Sequence, residues 1–326
     1  IRSTLMPGTA VALAQEIRAL DPDVRLAHNP EFTREATAVQ DFLEPDRVVA
    51  GVDGHDDGGR GTALAAALRE VYEPFDAPFI VTDLTSAETI KVASNVFLAA
   101  KITFANEIAR LTAATGADAQ AVVDGMGADK RIVRNFLSPG PGFGGSCFPS
   151  QARALPQLAA GYGVQTPLMD AIWRSNVSQA DWLLDGLERA AERSVDGMRV
   201  ALLGLTFKAG TDDLRESPSI RLGQALAARG ATVVAFDPVS LESGTAMLQR
   251  LAPGSTIEAA ESAAAACAGA DAVVVATEWP EFGDLPWAEI ASTMVGSVVV
   301  DGRRVVDTDA ATEAGLRVVA LGVEVK

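Results

Sequence analysis

From residue 86 to about residue 115 the chain contains neither Pro nor Gly, and apolar residues return at helical spacing through Ile90, Val92, Ala93, Phe97, Leu98, Ile102, Phe104, Ile108 and Leu111. The spacing predicts a single helix of about eight turns at ~1.5 Å per residue, capped by Ser86 and stopped by Gly116. A helix of that length in a globular protein crosses between domains or forms a subunit interface. Ahead of it, a helical pattern at 10–20, a turn at Asn29-Pro30, a strand at 47–52, a Gly/Asp-rich loop at 53–61, a helix at 62–72 and a strand at 79–82 read as the back half of an α/β unit. Behind it come more helix through Val123, a glycine-rich loop, and helices to about Arg193. Past Ser194-Val195-Asp196-Gly197 the pattern changes to short Val/Leu/Ala strands at 199–205, 232–236, 272–276, 297–300 and 316–321, with helical patterns at 219–229, 257–268 and 287–293. Strands of near-continuous apolar character are buried on both faces, so these predict a parallel, doubly wound, Rossmann-like sheet. The chain thus divides into three parts, 1–83, 84–194 and 195–326. No internal repeat or low-complexity segment is visible.

At 326 residues and 33.9 kDa the chain exceeds one ordinary domain. Hydrophobic residues at 48% against 21% charged exclude disorder, collagen and a disulfide-stapled miniprotein. A formal net charge of −16 repels phosphate backbones and anionic membranes, which excludes a nucleic-acid reader. Two cysteines more than a hundred residues apart form neither a zinc cluster nor a framework and suit a reducing cytoplasm. No apolar run approaches the ~20 residues of a membrane helix, and no signal-peptide order opens the chain, so a cytoplasmic location is expected. Ile1-Arg2-Ser3-Thr4 reads as the end of a strand already in progress, which predicts residues upstream. Basic residues are 22 Arg and only 5 Lys, so each Lys is worth inspecting.

The densest chemistry lies in Gly140-Pro141-Gly142-Phe143-Gly144-Gly145-Ser146-Cys147-Phe148-Pro149. Its glycines let the backbone approach a ligand closely, and Pro149 suits the first turn of a following helix. Cys147 is thereby predicted near a helix N-terminus, where partial positive charge favours a nucleophilic thiolate; a small buried cysteine in a tight loop fits the residues equally well. Cys267, within an alanine run, reads as core filler. Lys91 and Asn95 share a helix face one turn apart. A lone helical Lys is usually a solvated one, but here the neighbours are apolar. Glu31 and Glu35 are a second spacing-of-four pair that reads as a charged face. Gly59-Arg60-Gly61 lacks the third glycine of a dinucleotide fingerprint, residues 204–210 have the wrong spacing for a phosphate loop, and His28 and His55 support neither a zinc triad nor a Ser-His-Asp site. No metal is implied.

Asn29-Pro30-Glu31-Phe32 with Pro45-Asp46-Arg47-Val48, Lys91 through Asn95, the stretch 142–149, Gly204-Leu205-Thr206-Phe207-Lys208 and Thr211-Asp212-Asp213-Leu214-Arg215-Glu216-Ser217 together resemble the UDP-glucose/GDP-mannose dehydrogenase family, in order and along the whole chain. Gly-Gly-Ser-Cys-Phe-Pro resembles its UDP-glucose 6-dehydrogenase branch more than those acting on GDP-mannose or UDP-N-acetylhexosamines. The resemblance implies an α/β fold with two Rossmann-like domains, the first incomplete here, joined by a helical middle whose long helix carries a homodimer contact. It implies NAD-dependent oxidation of the C6 alcohol of a UDP-sugar to a carboxylate, in nucleotide-sugar metabolism and polysaccharide biosynthesis, through a cysteine thiohemiacetal and thioester. On this likeness Cys147 is the nucleophile, Lys91 with Asn95 stabilises the oxyanion, Glu31 serves hydrolysis or proton transfer, and Thr4 holds a water. Phe136, Leu137 and Gly144 line the sugar-nucleotide pocket, with Phe207, Lys208 and Arg303 opposite. Arg131 reaches a neighbouring subunit's substrate, and Glu35 and Arg215 contact NAD. Lys91, Lys208, Arg131 and Arg303 must then make a positive pocket within a repulsive global field, with the Cys147 sulfur facing the Lys91 ammonium.

Two departures bear on activity. Ser150-Gln151 stand where the family continues with Lys-Asp, and Gln accepts hydrogen bonds but not a proton. The glycine-rich strand–turn–helix that cradles the NAD pyrophosphate, within the first ~110 residues expected of the family, lies outside the chain. The competing reading is a catalytically impaired UDP-sugar-binding dimerisation module.

Overall fold

A computed structural model describes residues 1–53 and 60–322, residues 60–62 through their backbone alone. His55, the glycine pattern at 59–61 and most of the 53–61 loop lie outside the described residues. The protein falls into two compact units, Ile1–Phe97 and Leu98–Lys326.

In the first unit, α1 (Thr9–Leu20), β1 (Ala27–His28), α2 (Ala38–Leu43), β2 (Val48–Val52), α3 (Arg60–Tyr72) and β3 (Phe79–Thr82) precede α4 (Leu84–Thr115). The strands lie in the order β1-β2-β3, with β1 antiparallel and β3 parallel to β2. Every residue of β2 is buried, as its unbroken apolar run requires. Gly51 is obligatory there, because a Cβ would stand 2.4 Å from the Ala87 Cβ of α4. The helix α4 begins two residues earlier than its apolar spacing indicates, and its cap is Asp83 rather than Ser86. The Asp83 carboxylate accepts from the Ser86 backbone N–H at 2.9 Å and from its hydroxyl at 2.6 Å, so Ser86 is a donor inside the first turn. Gly116, at φ 76°, ends the helix as expected. At the start of α1 the buried Glu88 of α4 accepts from the N–H groups of Gly8 (2.7 Å) and Ala10 (2.6 Å).

In the second unit the rest of α4 is followed by α5 (Ala119–Gly127), α6 (Cys147–Gly161), α7 (Pro167–Val177) and α8 (Gln179–Ala191). Next come β4 (Arg199–Leu203), α9 (Pro218–Ala228), β5 (Thr232–Phe236), α10 (Leu241–Leu251), β6 (Ile257–Ala259), α11 (Ala263–Cys267), β7 (Ala272–Val275), α12 (Trp287–Thr293), β8 (Val298–Asp301), α13 (Thr308–Glu313) and β9 (Arg317–Ala320). Six parallel strands in the order β6-β5-β4-β7-β8-β9 give the predicted doubly wound sheet. Side chains of β4 alternate between its two faces: Val200 and Leu202 join Leu187, Leu226 and Leu248, whereas Ala201 and Leu203 join Phe282, Trp287 and Ile290. The helix expected over 257–268 is instead β6 followed by α11. Val233, Val234 and Ala235 of β5 pair with residues 257–259, and Ser262 caps α11 by accepting from Ala265 N–H at 3.1 Å. The sequence pattern alone does not reveal α2, α10 or α13. No helix among the described residues is long and apolar enough to cross a membrane.

Candidate active site

The glycine-rich loop of the second unit is fixed by amide side chains from the surrounding helices. Asn106 of α4 accepts from Gly140 N–H at 2.8 Å, and Gln179 at the start of α8 donates to the Gly140 carbonyl at 2.9 Å. Arg110 in turn donates to Gln179 Oε1. Asn176 of α7 holds Phe143 twice, through Oδ1 at 2.8 Å and Nδ2 at 3.1 Å. Gly142 (φ 118°) and Gly145 (φ 80°) take left-handed backbone that side chains resist. At Gly144 a Cβ would meet the Glu216 carbonyl at 2.6 Å and Phe207 Cβ at 2.9 Å. Gly145 N–H donates to the Arg215 carbonyl at 2.9 Å. The loop is thus pressed between α7 and the 204–218 segment, and it delivers Cys147, exposed, as the first residue of α6. Cys147 therefore sits at the helix N-terminus its loop predicted; Cys267 is buried and burial pushes its thiol up to about 12.

Phe207, Gly144 and Arg303 come together on this loop. Arg303 donates to the Phe207 carbonyl at 2.8 Å and the Ala276 carbonyl at 3.0 Å, and pairs with Glu278 at 3.0 Å. Burial lowers the Arg303 pKa, and Glu278 opposes that shift. The Phe207 ring lies 3.2 Å from where a Gly145 Cβ would stand, and Lys208 Nζ is 5.5 Å from the same ring. Phe136, in left-handed backbone, sets its ring 6.2 Å from Phe148 beside Cys147. Leu137 is buried with Ala105 and Val123. Arg215 is exposed and paired with Asp213 at 2.8 Å. Arg131 is exposed and paired with Asp129 at 2.6 Å.

A cluster that the sequence does not announce lies behind the loop. Glu216 bridges Arg153 of α6 (2.8 Å) and Arg221 of α9 (3.3 Å), and both guanidinium groups lie over Trp173 of α7, at 4.6 and 5.4 Å. No spacing in the chain links these four residues; only the packing of the three helices does.

In the first unit Lys91 is 4% exposed, and its Nζ stands 3.4 Å from Glu31 Oε1 and 5.1 Å from the Phe32 ring. Glu31 Oε2 accepts from Thr33 N–H and hydroxyl, each at 2.8 Å. Burial pushes the Glu31 carboxyl up, but the Thr33 bonds and the Lys91 charge outweigh it and leave the pKa below its ordinary value. Asn95 is buried one turn along α4 from Lys91. Glu31 and Glu35 do not share a helix face, because residues 29–35 form no helix; Asn29 at the start of the segment donates to the Val49 carbonyl (2.8 Å) and accepts from Tyr72 (2.5 Å). Glu35 is exposed and Thr4 half-buried. His28 is wholly buried, and neither ring nitrogen has a well-formed hydrogen bond among the described residues.

Two places where a dinucleotide lies in folds of this kind are taken up here by the chain's own carboxylates. The first amides of α1 are occupied by Glu88, so they do not fit a pyrophosphate. In the six-stranded sheet Asp237, just after β5 where a dinucleotide fold holds its ribose, accepts instead from Leu205 N–H (2.7 Å), Val239 N–H (3.0 Å) and Ser240 N–H (2.8 Å). The second sheet therefore does not fit NAD. Glu35 of the first unit and Arg215 of the second are both exposed.

A parallel doubly wound sheet with a helical segment ahead of it defines a Rossmann-type α/β protein, and its exposed cysteine opens a helix behind a glycine loop. Three sequence families match in chain order: the UDP-glucose/GDP-mannose dehydrogenase family NAD binding domain over residues 1–76, its central domain over 85–178 and its UDP binding domain over 201–308. The chain belongs to the UDP-glucose/GDP-mannose dehydrogenase family. It is 38% identical to a UDP-glucose 6-dehydrogenase of Rickettsia conorii over 99% of this chain and 72% of the relative, and 39% identical to one of Rhizobium meliloti over 98% and 72%. A solved UDP-glucose dehydrogenase from Pyrobaculum islandicum superposes with a TM-score of 0.85 at 36% identity, over 99% of this chain and 70% of that one. The Pyrococcus horikoshii UDP-D-ManNAc dehydrogenase, at 24% identity and TM-score 0.83, shares the fold.

Proposed function

We propose that the chain acts as a UDP-glucose 6-dehydrogenase, oxidising the C6 alcohol of UDP-glucose to the carboxylate of UDP-glucuronate, in the cytoplasm and as a homodimer. The observation that carries this reading is Cys147: exposed, first in its helix, and set by a loop whose glycines leave no room for side chains. NAD, when bound, accepts the electron pairs. Cys147 adds to the C6 aldehyde as a thiohemiacetal and holds the carbon through the thioester until water releases the acid and returns the thiolate. Lys91 and Asn95 stabilise the oxyanion; Glu31, paired with Lys91, takes and returns protons in hydrolysis; Thr4 holds the water. Phe136, Leu137, Gly144, Phe207, Lys208 and Arg303 form the sugar-nucleotide pocket, with Arg131 reaching a partner subunit's substrate and Glu35 and Arg215 touching NAD. The parts 1–83, 84–194 and 195–326 serve NAD binding, dimerisation with catalysis, and UDP-sugar binding. The homodimer reading is supported by Phe97, Phe104 and Leu111, exposed at intervals of seven on α4.

The alternative, an impaired UDP-sugar-binding dimerisation module, has less support: the relatives at 38–39% identity bear the dehydrogenase name. The test is NADH formation with UDP-glucose, alongside calorimetric UDP-glucose binding. Cys147→Ser should lower kcat by on the order of 10³-fold and leave UDP-glucose binding within about twofold. Binding without NADH formation would leave the module reading standing; an undiminished Cys147→Ser enzyme would overturn the mechanism.

A further inference from the structure

We propose that a cavity between α8 and the β8–β9 edge of the six-stranded sheet binds a small organic acid, an anionic head on a flat apolar body. The cavity holds about 200 Å³ and contains none of the residues placed above in the sugar-nucleotide pocket. Its floor is apolar, made by Leu183, Val300 and Leu321, with Trp182 and Val319 half-buried at the wall. An apolar cavity of about 150 Å³ accepts benzene, so this one has room for a ring bearing a carboxylate or phosphate.

Two guanidinium groups supply the counter-charge. Arg317 is fixed: it donates to the Ala190 carbonyl at 2.9 Å and stands 4.0 Å from Glu192. Arg189 has no ion pair or side-chain hydrogen bond among the described residues, in a protein whose net charge is −16. Its Nη2 lies 3.7 Å from where a Cβ on Gly186 would stand. Gly186 is the informative residue. In the middle of a thirteen-residue helix a glycine costs about 1 kcal/mol against alanine, yet a methyl group there would meet nothing closer than that 3.7 Å contact. Packing does not demand the glycine; its effect is to keep the cavity open beneath Arg189. An arginine without a partner among the described residues, over an aromatic-walled apolar hollow, is a site for a planar anion, which a neutral analogue fills without the charge-assisted bond.

The elements involved give occupancy a consequence. The helix α8 starts at Gln179, which holds Gly140 of the cysteine loop, and β8 ends at Asp301, two residues before Arg303. An occupant touches both elements.

Calorimetry of the whole chain with benzoate and with phenyl phosphate tests the proposal, against benzyl alcohol and inorganic phosphate. The acids should bind at or below millimolar concentration and still bind when UDP-glucose is saturating. Arg189→Ala should weaken them tenfold or more, and Gly186→Leu, which fills the cavity while favouring the helix, should abolish binding with the circular dichroism unchanged. If Gly186→Leu fails to fold, the Arg189→Ala comparison decides. No heat from either acid, equal binding of benzyl alcohol, competition by UDP-glucose, or an Arg189→Ala protein that binds as before would each overturn it.

Discussion

Cys147 and Gln151 occupy the first two turns of one helix and have opposite surroundings. The thiol is exposed, whereas Gln151 is 4% exposed and its Oε1 has no hydrogen-bond partner among the described residues. A buried amide oxygen left unpaired costs about 1–3 kcal/mol, and an amide cannot act as a base. Replacing Ser150 and Gln151 together by Lys and Asp should therefore raise kcat for NADH formation by about tenfold, with little change in KM for UDP-glucose; steady-state kinetics of the double variant checks this. Cys147 and Lys91 stood out as single residues, one beside a glycine run and one a scarce type among apolar neighbours, whereas Glu31 read as part of a charged face and took its proposed role from the family resemblance. Arg153, Trp173, Glu216 and Arg221 were not, since each alone looks like ordinary surface or core. His28 yields a pH prediction. Burial lowers its pKa below 6.5, so the unfolded chain takes up the proton first as pH falls. The stability from neutral His28 is complete above about pH 6.5 and is lost as pH drops from there toward the lowered folded value. Thermal unfolding at pH 7.5 and 5.5 should show a smaller acid-side loss for His28→Leu than for the wild type.

Elements were legible where periodicity and terminators agreed. The helix α4 shows both, an unbroken apolar recurrence and Gly116 at its end; only its cap was misplaced, since Asp83 and Ser86 are both capping types and geometry alone says which one accepts. Residues 257–268 misled because their alanines favour helix, whereas pairing of residues 257–259 with β5 places that backbone in the sheet. The start of α1 was read to within one residue, but what satisfies its first amides was not, because Glu88 accepts from them across seventy-eight and eighty residues. Glu88→Ala should leave two amides without their acceptor and destabilise the first unit by about 2–3 kcal/mol, read as faster amide exchange in residues 8–12 and a lower urea midpoint. Glu88→Gln should recover part of the loss by retaining one acceptor oxygen.

At the scale of the molecule, the proposed function sets a net charge of −16 against a dianionic substrate, and it assigns the local counter-charge to Arg303 and Lys208 of the second unit. The exposed Phe97, Phe104 and Leu111 make assembly a prediction at the same scale: Phe104→Asp should shift the sedimentation coefficient toward that of a monomer, and an unchanged dimer would remove α4 as its seam. The sequence by itself determined the alternation of strands and helices, the long helix, the glycine loop with its cysteine, and the family, because each is encoded in residues close together along the chain. Tertiary structure alone decided which amides anchor that loop, why Gly144 must be a glycine, that Asp237 serves the 204–206 turn, and that Gly186 leaves a hollow. Those depend on atoms brought within a few ångströms by packing across tens of residues, a relation that local periodicity does not carry.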